Sequence, residues 1–133
     1  KLFKTEFIKY CSDKNIQKKE CSYMKKLTQK IIRTIRNCGF SMSSINEQDG
    51  SYYVDINQYT PEGEDWYESI WFNGTKEDFV NAVKNRAENF DVDEEVEIWI
   101  PSRGKNGVPH SIKALVQDAE WKKHKLQELA NNL

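Results

Sequence analysis

Apolar residues recur along this chain with two different periods, and the changes of period divide it into elements. Met24, Leu27, Ile31, Ile35 and Cys38 lie three or four residues apart, the spacing that lines one face of a helix. Ser22 stands at the N-cap position of this helix and Gly39 at its C′ position. Arg33 and Arg36 sit near the negative end of its dipole. Upstream, Phe3, Phe7 and Ile8 mark residues 2–11 as a short amphipathic helix candidate, broken by Ser12-Asp13-Lys14-Asn15. From Phe40 the period falls to two. Phe40, Met42 and Ile45 lead into a turn over Asn46-Glu47-Gln48-Asp49-Gly50. Tyr52, Val54 and Ile56 then face one way, and Tyr53, Asp55, Asn57 and Tyr59 the other, which is a half-buried strand. Thr60-Pro61-Glu62-Gly63-Glu64-Asp65 ends it, because Pro cannot donate to a ladder and Gly accepts positive φ. Residues 66–73 form a second β-rich run, and the short connection predicts antiparallel neighbours.

The second half returns to helical spacing. Thr75, with Asp78 three residues on, predicts a capping-box-like start for a helix carrying Phe79, Val80, Val83 and Ala87 and ending near Phe90. Residues 92–100 fit two patterns. Val96, Ile98 and Ile100 alternate as in a strand, whereas Val92, Val96, Trp99 and Ile100 share a helical face; the acidic first turn favours the helix. Pro101 ends the element in either case. Residues 102–109 read as a loop, and Ser111 caps a final helix carrying Ile112, Leu115, Val116, Ala119, Leu126, Leu129 and Leu133. The expected fold class is α+β: a small antiparallel sheet packed by helices, with a basic helical segment over residues 1–40 and an acidic α+β domain over residues 41–133.

Charge sharpens that division. Residues 1–40 hold eleven Lys/Arg against three Asp/Glu, residues 41–100 three against fifteen, and residues 101–133 six against three. A formal net charge of −1 over 133 residues thus hides a basic head and an acidic centre. Such asymmetry points to partners: a basic segment suits nucleic acid, and a folded acidic surface suits a site that normally holds it. At this length the chain is one domain, or one domain with an appended arm. Its aromatic content of 12 % argues against disorder. No apolar run approaches the ~20 residues of a membrane span. Cys11, Cys21 and Cys38 are odd in number and fit no common zinc spacing. Reduced thiols and a cytoplasmic location are therefore expected.

Candidate chemistry follows from these blocks. Glu62, Glu64, Asp65 and Glu68 cluster at the hairpin, and Asp91, Asp93, Glu94 and Glu95 form a second acidic cluster. Neither has the glycine or the twelve-residue spacing of a calcium loop, so no metal is assigned. Both are candidate partner-binding surfaces, with Tyr59, Trp66 and Tyr67 as aromatic anchors. The plainer reading is a solvated acidic face with aromatics in the core. Lys18, Lys19, Lys25, Lys26, Lys30, Arg33 and Arg36 flank the basic helix and are candidate contacts to nucleic acid or to a partner; the plainer reading is a solvated helix face. No nucleophile elbow, phosphate loop or zinc-protease motif is present, and His110 and His124 have no orienting partner nearby in sequence. No catalytic residue and no cofactor are assigned.

The stretches Asn57-Gln58-Tyr59-Thr60-Pro61-Glu62-Gly63-Glu64-Asp65-Trp66, Trp71-Phe72-Asn73-Gly74-Thr75, Phe90-Asp91-Val92-Asp93-Glu94-Glu95 and Gly107-Val108-Pro109-His110-Ser111 resemble a group of small uncharacterised proteins of Gram-positive bacteria, their phages and conjugative elements. The resemblance covers Tyr52 to Leu133. It implies no reaction, cofactor or catalytic residue. Its setting on mobile elements implies an accessory role against host CRISPR or restriction systems. The expected function is therefore a non-enzymatic protein that binds and inhibits a nucleic-acid-processing host complex through charged surfaces. The first rival is a nucleic-acid-binding module acting through the basic helix, and the second is a small enzyme with an unrecognised site.

Overall fold

The computed structural model describes residues 27–133. The helix candidate over residues 2–11, the Ser22 cap, Met24, Cys11 and Cys21 lie outside the described residues. The first described helix, α1 (Gln29–Asn37), starts at Thr28, whose hydroxyl accepts from Ile31 N at 3.2 Å. The helix ends as its sequence requires. Gly39 takes φ +94°, its N–H donates to Arg36 O, and Phe40 N–H donates to Ile35 O. That pair of bonds is a Schellman close. A Cβ on Gly39 would also stand 2.8 Å from the Gln58 carboxamide oxygen.

The antiparallel sheet has four strands: β1 (Ser41–Met42), β2 (Asn46–Gln48), β3 (Ser51–Tyr59) and β4 (Asp65–Phe72). β3 is central. β1 and β2 both pair with it, Met42 opposite Ile56 and Asn46 opposite Tyr53, while β4 pairs along its whole length from Tyr52–Phe72 to Tyr59–Asp65. Ser43 bridges the gap between β1 and β2: its N–H donates to Asp55 O and its hydroxyl accepts from Asp55 N. The turn into β3 is shorter than the sequence pattern implied. Asn46, Glu47 and Gln48 are strand, and only Asp49 and Gly50 turn, at φ +52° and +84°. Two positive φ values are what a type I′ hairpin demands.

One sheet face carries Val54, Ile56, Trp66, Ile70 and Phe72, all buried. Helix α2 (Lys76–Asn89), helix α4 (Ile112–Asn132) and α1 supply Phe79, Val83, Leu126, Leu129, Ile31 and Ile35 to the same core. Phe72 meets Phe79 edge-on at 5.2 Å, and Trp66 lies between Phe40 and Trp121. Because Leu27, Ile31, Ile35, Cys38 and Phe40 belong to this core, the boundary expected at residue 40 falls inside one packed unit. Residues 92–100 resolve as helix α3 (Val92–Trp99), followed by a single 3₁₀ turn at Ile100–Ser102 that accommodates Pro101. The Asp91 carboxylate caps α3 through Asp93 N and Glu94 N. A second, smaller core of Val96, Val108, Leu115 and Ala119 joins α3 and the 103–110 loop to the first half of α4. Thr75 and Ser111 cap α2 and α4 through Asp78 N and Ala114 N. The fold is α+β.

Candidate interaction surface

Alternation along β3 and β4 sends a second set of side chains away from the core. Register places them in rows: Asn46, Tyr53 and Trp71; Ser43, Asp55 and Ser69; Ser41, Asn57 and Tyr67; Tyr59 and Asp65. The Tyr53 and Trp71 rings lie 4.5 Å apart between centroids, tilted by 33° to one another. Tyr59, Tyr67 and Trp71 are 67, 60 and 46 % exposed, a large aromatic area for a surface that no described element covers. Two carboxylates sit among the rings. Asp55 accepts from Ser69 Oγ, and Asp65 accepts from Asn57 Nδ2 at 3.3 Å. No residue of the four strands is Lys or Arg. The outer sheet face is therefore aromatic and negative.

The hairpin cluster divides across this sheet. Asp65, Tyr59 and Tyr67 face outward, and Glu62 is exposed in the β3–β4 loop. Glu64, Glu68 and Trp66 are buried, which corrects the reading of the two carboxylates as partner-binding surface residues and of Trp66 as an aromatic anchor. Trp66 fills the core, and its Nε1 donates to Glu68 Oε2 at 3.0 Å. Glu68 is inward because strand alternation aligns it with Trp66, Ile70 and Phe72. Arg86 of α2 holds it with a two-pronged ion pair, at 2.6 and 3.0 Å, and the same guanidinium lies 4.8 Å from the Phe90 ring centre. The Glu68 hydrogen bonds raise the Arg86 pKa above its ordinary value.

Glu64 enters a buried polar cluster that sequence reasoning missed. Lys122 of α4, 1 % exposed, donates to Glu64 Oε2 at 2.9 Å and to Glu95 Oε2 at 2.7 Å. Its ammonium also lies 5.4 Å from the Trp99 ring centre, and Trp99 Nε1 donates to Glu95 Oε2. One helical turn earlier, the buried Asp118 accepts from Thr60 Oγ1 at 2.6 Å and from Glu62 N at 3.3 Å. Thr60 Oγ1 in turn accepts from Glu64 N, while Gly63 takes φ +95°. The Thr-Pro-Glu-Gly-Glu stretch is thus a loop locked onto α4. Glu64 Oε1 has no hydrogen-bond partner among the described residues. Burial pushes the Glu64 pKa above its ordinary value, against the opposing pull of Lys122. The signal for this cluster was the apolar stripe of α4, which breaks between Ala119 and Leu126 where Lys122 sits.

The second acidic cluster splits in the same way. Asp91, Asp93 and Glu94 are exposed at the start of α3, and Asp91 serves as its cap, whereas Glu95 turns inward to Lys122. Of the basic candidates, Lys18, Lys19, Lys25 and Lys26 lie outside the described residues. Lys30, Arg33 and Arg36 are exposed along α1, and no carboxylate pairs with them among the described residues. Cys38 is a free buried thiol, its pKa raised chiefly by burial.

The enzyme reading needs a histidine gathered with other groups in a cleft. His110 and Glu62 do line one open cleft of about 420 Å³, together with Ser111. Their side chains make no hydrogen bond to one another, and the Ser111 hydroxyl is engaged as the cap of α4. The His110 imidazole instead packs against Gly104, where a Cβ would stand 2.6 Å from Nδ1. His124 is exposed on α4. Among the described residues, no three His, Cys, Asp or Glu side chains gather as metal ligands. No described helix is long and apolar enough to cross a membrane. Compared with family models, curated proteins and solved structures, the chain matches none.

Proposed function

We propose that this protein is a non-enzymatic binding protein, an accessory factor of a phage or mobile element that inhibits a nucleic-acid-processing host complex of the CRISPR or restriction type. One observation carries the binding part of this reading: the outer sheet face exposes Tyr59, Tyr67 and Trp71 beside Asp55 and Asp65, and none of its strand residues is Lys or Arg. Tyr and Trp are the side chains that concentrate binding energy at protein interfaces. A negative field on the same face speeds encounter with a positively charged partner, and proteins that handle nucleic acid present such a surface. The anti-defence role itself rests on the resemblance of the Tyr52–Leu133 stretch to proteins of mobile elements. The second reading, direct contact with nucleic acid, is favoured by Lys30, Arg33 and Arg36 on α1, which are exposed and pair with no carboxylate among the described residues. Expressing the protein in hosts that carry one active CRISPR or restriction system at a time, and measuring phage plating efficiency, tests the proposal. A rise of tenfold or more that Trp71→Ala together with Tyr67→Ala abolishes supports it. No rise against any system of either class refutes it.

A further inference from the structure

The outer sheet face also specifies what kind of segment it accepts, on the reading that this face is the docking surface. Asp55 lies opposite Ser69, and Asp65 lies opposite Tyr59, so the two carboxylates are four residues apart along the sheet and one strand over. At about 3.3 Å per residue and 4.8 Å between strands, that is roughly 14 Å. Each carboxylate has aromatic neighbours. The row of Asp55 is flanked by the Tyr53–Trp71 row on one side and by Tyr67 on the other, and Asp65 shares its row with Tyr59 and follows Tyr67 by one row. Among the described residues each has one side-chain donor, Ser69 Oγ or Asn57 Nδ2, which leaves further acceptor positions on both.

A carboxylate beside exposed ring faces is the arrangement that an arginine side chain fits best. Its planar guanidinium binds a carboxylate in two-pronged fashion and stacks on aromatic rings, whereas an ammonium is a compact and strongly hydrated point charge. Two such sites about 14 Å apart match two arginines four residues apart in an extended chain. Nucleic acid is the other ligand that stacks on a sheet-borne aromatic platform, but it also requires cations to meet its phosphates. This face has none on its strands and carries two carboxylates instead. We infer that the outer face of the sheet is a recognition site for an extended, arginine-bearing segment of a partner protein, with Asp55 and Asp65 receiving successive guanidinium groups and Trp71, Tyr67 and Tyr59 stacking on them.

The test uses the full chain and a synthetic peptide with two arginines separated by three small polar residues. Its lysine counterpart and a thymidine oligonucleotide serve as competing probes, with binding followed by Trp fluorescence and calorimetry. The arginine peptide is expected to bind at least threefold more tightly than the lysine peptide, with affinity falling as salt rises. Asp55→Asn with Asp65→Asn, and separately Trp71→Ala, should each weaken it about tenfold. All of these side chains face solvent on one side, and circular dichroism verifies that the variants stay folded. Failure of the peptide to bind at millimolar concentration overturns the inference, and so does binding that neither variant weakens. Two further outcomes overturn it: oligonucleotide binding that depends on Trp71 without peptide binding, or self-association that Trp71→Ala abolishes. Peptide binding without any change in phage plating would sink the anti-defence reading and leave this site standing.

Discussion

Replacing Lys122 by Met should cost more stability than any other single polar substitution in the described residues. The side chain is 1 % exposed and neutralises two carboxylates at once, Glu64 at 2.9 Å and Glu95 at 2.7 Å. Asp118 lies one turn away on α4 and is also 1 % exposed. Met keeps most of the volume and the contact with Trp99, so the loss is electrostatic rather than a cavity. Removing one partner of a buried ion pair leaves uncompensated charge and costs about 3–5 kcal/mol. Domains typically have about 5–15 kcal/mol in total, so the variant should be marginal, with its melting temperature lower by roughly 10–20 °C. Urea unfolding followed by Trp fluorescence measures this, because Trp99 lies at the site. Adding Glu64→Leu removes one of the stranded carboxylates and should restore at least half of the loss, since apolar replacement of a buried pair is often neutral. The two substitutions are thus expected to be strongly non-additive. A Lys122→Met cost below about 1 kcal/mol, or a double variant whose loss equals the sum of the single losses, would falsify the account of this cluster.

Glu64 should give the protein a distinctive pH dependence. Burial raises its folded pKa above the ordinary 4.5, so the folded state holds this proton more tightly than the unfolded chain. Its favourable contribution is therefore complete below about 4.5 and is lost as pH climbs through the raised value. The stability difference between the parent protein and Glu64→Gln should fall over that window, and a flat difference would remove the reasoning. Thr75→Ala deletes the acceptor for Asp78 N and should cost about 1 kcal/mol in thermal unfolding; an unchanged melting curve would show that α2 does not depend on this cap. Deletion through Gly39 removes Leu27, Ile31 and Ile35 from the main core, each worth about 1.5–3 kcal/mol. The remaining chain should bind a hydrophobic dye and lose cooperative unfolding, and a soluble, cooperatively folding product would mean that α1 is dispensable to the fold.

What the sequence determined by itself is local. The Thr75 and Ser111 caps, the close of α1 at Gly39 and the two-residue alternation of β3 and β4 all depend on groups a few positions apart. Backbone sterics and nearby hydrogen bonds favour such features without reference to distant residues. Even the inward position of Glu68 was legible, since alternation aligns it with Trp66 and Ile70; its charge obscured the pattern. Tertiary structure decided the fate of the charges. Glu64 meets Lys122 across 58 residues and Thr60 meets Asp118 across the same distance. No spacing rule spans such a gap, because the pairing depends on how α4 packs beside the β3–β4 loop. The acidic centre that reads as one block in the chain is therefore divided in space: Glu64, Glu68 and Glu95 enter ion pairs, Asp91 caps a helix, Asp55 and Asp65 lie among aromatic rings on the open face of the sheet, and others such as Glu62, Asp93 and Glu94 stay exposed elsewhere. Desolvation is the physical reason, since a charge is kept inside only where the fold supplies a partner for it.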